Sequence, residues 1–228
     1  MGISAGVENR QSMESLFEYL AKTFTIPLFV ETGTFRGETT RWAGTRFDEV
    51  ITIEGSETLF RNAFADLASL PNVTCLCGDS REHLCDVVPS LSGEVLFWLD
   101  AHWCGSTTYG KQAECPLIAE LEAIYSGDLE PFVLIDDARF FVSIPPAPHD
   151  VSHWPDYLEI SEFVRQRCPN AFLTVHEDAI VIVPPWAKEA LIDYVRNANV
   201  MPRRRRTFSK VASAATAIKS AFRSRRAA

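Results

Sequence analysis

No stretch of this 228-residue chain comes near the roughly 18 consecutive apolar residues that a membrane-spanning helix needs. The opening MGISAGVENRQSM shows no charged lead followed by an apolar run, and Gly6 stands where an N-myristoylation signal needs Ser or Thr. These absences set the expectation of a cytoplasmic protein whose six cysteines are reduced. Paired C-x-x-C motifs are lacking too. Cys75 and Cys77 stand in the alternating run NVTCLCGD, with His83 and Cys85 beyond it on an expected helix, so the two cysteines read as small buried strand residues and not as zinc ligands. Also missing is the G-x-G-x-x-G spacing that lets a backbone cradle a pyrophosphate. The nearest stretch, VETGTFRGETT, reads Glu31-x-Gly33-x-Phe35-x-Gly37, which argues against a dinucleotide.

What is present is ordinary globular composition, 46% hydrophobic and 23% charged, enough for one α/β domain with a sizeable core. The net charge of −8 hides an asymmetry. Residues 201–228 carry nine Lys and Arg and no acid, leaving 13 basic against 30 acidic residues, a net of −17, in residues 1–200. The expected organisation is therefore a domain over 1–200 and a basic tail over 201–228. Within the tail, Phe208, Val211, Ala215, Ile218 and Phe222 form a thin apolar stripe at helical spacing. An amphipathic helix there would touch an anionic membrane surface weakly and reversibly, and a disordered, solvated tail is the equal alternative. The acidic body would repel phosphates, and no Asn/Asp-Pro-Pro-Tyr/Phe sequence is present, so nucleic acid is not an expected partner.

Hydrophobic periodicity predicts an opening helix at Ser12–Thr23, then strands at Leu28–Glu31, Glu49–Glu54, Val73–Cys77, Val95–Asp100 and Phe132–Asp136. These alternate with helices near Glu38–Thr45, Glu57–Leu70, Arg81–Val88 and Pro116–Ser126. Strand–helix–strand in series implies right-handed crossovers and a largely parallel sheet buried on both faces. After a helix at Tyr157–Arg167, NAFLTVHEDAIVIVPP reads as two strands joined at Glu177-Asp178, a connection short enough only for an antiparallel hairpin, and Trp186–Asn197 reads as a closing helix. The fold class is thus α/β: a Rossmann-like methyltransferase fold with a mostly parallel seven-stranded sheet, an antiparallel C-terminal hairpin and helices on both faces.

Ligands of such sheets bind beyond the carboxyl ends of the strands, and each strand here ends in an acid or polar group: Glu31, Glu54, Asp79 with Ser80, Asp100, and Asp136 with Asp137. An acidic rim suits a cation better than a phosphate. Glu54 lies where a dinucleotide fold places the acid for ribose hydroxyls. S-adenosylmethionine carries that ribose, has no phosphate, and is positive at its sulfonium and amino groups, so it fits an abbreviated glycine loop. Gly33 and Gly37 would let the backbone approach its methionine portion, and Asp79 and Ser80 would stand near the adenine.

VETGTFRGETT, ITIEGSE, CGDSREHL, FWLDAHW and LIDDARFF resemble the successive motifs of class I S-adenosylmethionine-dependent methyltransferases over roughly Leu28 to Pro184. ETGTFRG, with Phe35 where the middle glycine usually stands, is similar to the macrocin O-methyltransferase type, a group of metal-dependent sugar O-methyltransferases. The resemblance implies cofactor contacts from Glu31, Gly33, Thr34, Phe35, Gly37, Glu54, Asp79 and Ser80. It also implies a divalent cation, magnesium, on Asp100, Asp136 and Asp137. Independently of it, three clustered carboxylates repel one another unless a hard cation neutralises them, although Asp136 or Asp137 could simply cap a turn.

His102 is the first choice of general base, beside Asp100, since an imidazole titrates where a metal-acidified hydroxyl gives up its proton. DAHWCGSTTYGKQAEC departs from the residues the macrocin type leads one to expect after this acid, which leaves Lys111 or an acid as alternatives. The long segments Trp103–Cys115 and Phe140–Trp154 are assigned to the acceptor pocket, with Trp103, Tyr109, Arg139, His149, His153 and Trp154 as lining residues. The function implied is methyl transfer to a hydroxyl of a sugar or other small acceptor. The competing class is a non-catalytic, methyltransferase-like binding module recruited through its basic tail.

Overall fold

The computed structural model describes residues 3–105 and 108–200. The tail read at 201–228 lies outside the described residues. Residues 1–191 form one compact unit that holds the whole sheet; of the second, residues 192–228, the described part continues the last helix.

Seven strands form the sheet: β1 (Leu28–Thr32), β2 (Glu49–Glu54), β3 (Val73–Cys77), β4 (Val95–Leu99), β5 (Phe132–Ile135), β6 (Phe172–His176) and β7 (Ala179–Val183), in the order β3-β2-β1-β4-β5-β7-β6. Six run parallel. β7 alone is reversed, pairing antiparallel with β5 through Val133↔Ile182 and with β6 through Leu173↔Ile182. The two-residue Glu177-Asp178 connection, with Glu177 at φ 52°, closes the expected hairpin. The helices are α1 (Ile3–Phe24), α2 (Glu38–Ala43), α3 (Glu57–Leu67), α4 (Ser80–Val87), α5 (Leu117–Ile124), α6 (Arg139–Val142), α7 (Tyr157–Arg167) and α8 (Lys188–Val200). Asp79 caps α4, and Asp156 with Glu159 forms a reciprocal capping box on α7, so local side chains start both helices.

Every residue of β1, β4, β5 and β7 is buried, as expected of strands with helices on both faces. On one face Phe17 of α1 packs edge-on to Phe29 of β1 at 5.7 Å and Trp98 of β4 at 5.0 Å. On the other, Leu84 of α4 and Leu121 and Ile124 of α5 join Val30, Phe97 and Val133 in the main core. Each such side chain contributes about 1.5–3 kcal/mol on burial.

β3 corrects one expectation. It is an edge strand with β2 as its sole neighbour in the sheet, so Cys75 is only half-buried and Cys77 is exposed. Alternation had placed both on a strand, which holds, but an edge strand has too little cover to bury them.

The strand order reverses between β1 and β4, so their flanking connections diverge and leave a crevice at the carboxyl edge. Parallel register brings Thr32 opposite Ile53 and Leu99, and Leu99 opposite Ile135, so the segments leaving β1, β2, β4 and β5 meet at one level. Among the described residues no helix is long and apolar enough to cross a membrane.

Candidate active site

Gly33 leaves β1 at φ 84°, and a Cβ there would stand 2.4 Å from the carbonyl oxygen of Asp100. Only glycine permits so close a crossing of β1 over the end of β4. The loop is fastened on its other side by Gly33 N–H donating to Ile53 O at 2.9 Å and by Phe35 N–H donating to Glu54 Oε2 at 2.8 Å. Glu54 Oε1 accepts the Ser56 N–H, also at 2.8 Å, so the carboxylate is aimed by two backbone donors.

Above this crossing lies a cavity of about 290 Å³. Gly33, Phe35, Glu54, Asp79, Ser80 and Asp100 all line it, bringing together residues from the ends of four strands. Asp79 is held by Arg81, Nε to Oδ1 at 2.8 Å and Nη2 to Oδ2 at 2.5 Å; that hydrogen bonding lowers its pKa against the effect of burial. Tyr109 closes the outer side. Its ring lies so close over Gly55 that a Cβ there would meet Tyr109 Cδ1 at 2.6 Å, and its hydroxyl is 3.4 Å from Asp79 Oδ2.

Glu31, Thr34 and Gly37 stand elsewhere. Glu31 is buried and accepts from the hydroxyls of Thr40 and of Thr52, the latter at 2.9 Å, while Thr34 Oγ1 lies 2.6 Å from Thr52 Oγ1. Glu31 and Thr34 line a second, larger cavity of about 820 Å³. Gly37 starts α2 at φ 69°, where a Cβ would press on Leu67 at 3.0 Å, so its lack of a side chain serves helix packing.

Asp100, Asp136 and Asp137 line the second cavity together, and Asp100 and Asp137 line both. Burial, then the charges of Asp136 and Asp137, hold the Asp100 carboxyl well above its ordinary value, and burial with Asp137 pushes Asp136 up to about 7. Burial pushes Asp137 upward as well, but the hydrogen bond and charge of His102 and the Arg139 guanidinium outweigh it and leave it lowered. His102 stands between two of these acids, with Nε2 3.1 Å from Asp137 Oδ2 and Nδ1 3.4 Å from Asp100 Oδ1. Trp154 packs against its ring at 5.5 Å. Asp137 is left-handed at φ 56°, a strained position for a residue with a side chain, of the kind that clusters at functional sites. Among the described residues no three His, Cys, Asp or Glu side chains form a group gathered to hold a metal ion.

The two long segments differ: Cys104, Thr108, Tyr109, Gly110, Ala113 and Glu114 of Trp103–Cys115 line the first cavity, whereas no residue of Phe140–Trp154 lines either one. Of the six residues named as lining an acceptor pocket, Arg139 lines the second cavity and Tyr109 the first. Trp103 and Trp154 are buried, and His149 packs against both, at 5.7 and 5.1 Å. The residue that joins the segments is Glu114, which the sequence reading passed over. Its Oε2 accepts the Trp154 indole N–H at 3.0 Å and lies 3.0 Å from His149 Nδ1. These bonds and the Asp150 N–H outweigh burial and lower its pKa. Lys111 is exposed and lines neither cavity. Glu120 of α5 was missed too. It is 1% exposed, and burial pushes its pKa up to about 7 although the Ser80 and Thr32 hydroxyls beside it pull downward.

No protein-family model and no curated protein matches the sequence. Solved structures match its fold. The O-methyltransferase TomG of Streptomyces achromogenes, in complex with S-adenosylmethionine, is 17% identical over 76% of this chain and 80% of its own, with a TM-score of 0.52. An O-methyltransferase of Bacillus cereus in complex with S-adenosylhomocysteine is 19% identical over 75% and 80%, with a TM-score of 0.51. A methyltransferase of Podospora anserina bound to S-adenosylhomocysteine is 18% identical over 75% and 77%, also at 0.51. With six parallel strands, a reversed β7 and helices on both faces, the chain has the Rossmann-like fold of the class I S-adenosylmethionine-dependent methyltransferases.

Proposed function

We propose that this protein is an S-adenosylmethionine-dependent O-methyltransferase acting on a small hydroxyl-bearing acceptor, a sugar on the macrocin-type reading, with the help of a divalent cation. The observation that carries the proposal is the first cavity. Gly33 crosses over Asp100 O there, Glu54 is aimed by two backbone N–H donors, and the cavity opens directly on Asp100, His102 and Asp137. Glu54 keeps acceptor capacity for ribose hydroxyls, Asp79 and Ser80 border the adenine end, and Gly33 leaves room for the methionine portion. The cofactor supplies an electrophilic methyl on a sulfonium.

The chain's task is alignment of acceptor oxygen with that methyl, and removal of the hydroxyl proton. Neutral His102 can donate Nε2–H to Asp137, which leaves the Nδ1 lone pair to receive the proton. Asp137 fixes this tautomer and stabilises the imidazolium that follows. Asp100, Asp136 and Asp137 fit a hard divalent cation in donor chemistry, because they are oxygen ligands whose crowding already raises two of their pKa values. Loading would require carboxylates that stand apart to close on one point. A cation held there would supply Lewis acidity toward the acceptor hydroxyl.

The test is incubation of the protein and magnesium with cell extracts and isotopically labelled S-adenosylmethionine, read by mass spectrometry. A labelled methyl ether formed only with active protein, and lost in excess chelator, is expected. Absence of cofactor binding in calorimetry would overturn the reading in favour of a non-catalytic module, and full turnover in chelator would remove the cation from it.

A further inference from the structure

The hold on His102 carries an inference that rests on the methyl-transfer reading above. His102 Nε2 reaches Asp137 Oδ2 at 3.1 Å, but Nδ1 stands 3.4 Å from Asp100 Oδ1, beyond the usual length of a hydrogen bond. An imidazole tied at one nitrogen can still swing about that bond. The rest of its surroundings are aromatic: Trp154 packs against the ring at 5.5 Å and Phe140 stands edge-on at 6.4 Å. These two rings also meet each other, at 5.4 Å. Both belong to the segment Phe140–Trp154, which enters neither cavity, so its place beside His102 has to be set from elsewhere.

Glu114 sets it. Its Oε2 accepts the Trp154 indole N–H at 3.0 Å and lies 3.0 Å from His149 Nδ1, and its two oxygens share the Asp150 N–H, each at 3.2 Å. Its backbone carbonyl accepts the N–H of Trp103, the residue after His102, at 2.8 Å. One residue thus reaches His102 by two routes, through the ring that packs on it and through the backbone that carries it. Glu114 is buried, and enclosing a charge is costly unless the donors around it are well placed. An apolar side chain would fill the same space without that cost, so packing alone does not account for an acid here. A fixed set of donors does.

We propose that Glu114 is a positioning residue for His102. By holding the Trp154 indole and the Trp103 backbone, it keeps the imidazole plane fixed, with Nε2 on Asp137 and the Nδ1 lone pair free to take the acceptor's proton. Glu114 borders the cofactor cavity, but its oxygens are engaged by donors of the chain itself, so it acts through Trp154 and Trp103 and not on the cofactor.

The experiment uses the full chain saturated with S-adenosylhomocysteine. Long-range proton–nitrogen NMR reads the His102 ring, its signals assigned by their loss in His102→Gln. At about pH 8, above the range in which a free imidazole titrates, the parent should show the single Nε2–H tautomer. Glu114→Gln should show two tautomers in exchange, and so should Trp154→Phe, which keeps a ring and loses the N–H. S-adenosylhomocysteine affinity should be unchanged in both. With labelled S-adenosylmethionine, magnesium and cell extract, Glu114→Gln should form the labelled methyl ether about tenfold to a hundredfold more slowly than the parent. In the His102→Gln background the same change should add no further loss, because the ring it acts through is gone. A single tautomer in either folded variant, two tautomers in the parent, or a loss repeated in full in the His102→Gln background would overturn this inference alone. Weakened S-adenosylhomocysteine binding in Glu114→Gln would overturn it as well and make Glu114 a cofactor residue. Failure of the parent to bind S-adenosylhomocysteine would overturn the methyl-transfer reading and this inference with it.

Discussion

Glu54 at the end of β2 accepts the Phe35 N–H at 2.8 Å, so the acid proposed to bind the ribose also holds the loop proposed to carry the methionine portion. Its second oxygen accepts the Ser56 N–H, which anchors the same carboxylate to the start of α3. Replacement by alanine would remove these contacts together with the ribose contacts. Charge-assisted bonds contribute about 1.5–3 kcal/mol each, so Glu54→Ala should weaken S-adenosylmethionine binding by roughly tenfold to a hundredfold in calorimetry. Glu54→Gln, which keeps one acceptor oxygen, should fall between the two. Unchanged affinity in the alanine variant would remove Glu54 from the cofactor site.

The fold was legible because its signals are local. Buried strands such as VLFWL and AIVIV are apolar throughout, and a two-residue connection admits only one pairing. The acidic rim was legible as well, since strand ends are where such sheets bind ligands. The edge position of β3 was not, because exposure depends on neighbours that an alternating sequence does not name. Nor was the division of the rim into two cavities, which meet at Gly33, Phe35, Asp100 and Asp137 where β1 crosses the end of β4. Glu114 acts through partners 35 and 40 residues away, a long-range meeting with no sequence period. Glu120 did leave a signal: it stands with Leu117, Leu121 and Ile124 on the buried stripe of α5, and an acid on that stripe is an anomaly.

His102 Nε2 lies 3.1 Å from Asp137 Oδ2, the arrangement of a base and its orienting acid. His102→Gln should lower turnover by about two to four orders of magnitude at saturating acceptor, the usual contribution of a general base. Cofactor affinity should stay within about twofold, because the proton transfer and not the binding is removed. Asp137→Asn should lower turnover too, since it disturbs the tautomer, and should also raise the magnesium concentration needed, since Asp137 is one of the proposed cation ligands. Wild-type turnover in His102→Gln would assign the proton transfer to another group, and a loss confined to KM would make His102 a binding residue.

Glu120, beside Ser80 of the first cavity, makes stability depend on pH. Its carboxyl is fully enclosed beneath Ser80, and burial pushes its pKa up to about 7 from the ordinary 4.5. Between those values the unfolded chain has lost the proton and the folded chain has kept it. The folded state thus binds more protons, and stability falls as pH rises from about 4.5 to about 7, then levels. The gap converts to a penalty of roughly 3 kcal/mol at the plateau. Glu120→Gln keeps the size of the side chain and cannot ionise, so urea midpoints for variant and parent should differ most at about pH 8 and converge near about pH 4.5. Comparison of variant with parent at each pH cancels the contributions of Asp100 and Asp136, which titrate in both. A stabilisation that is constant with pH would place the gain in packing, and a variant less stable than the parent at about pH 8 would show that the ionised carboxylate is held by partners strong enough to offset its burial.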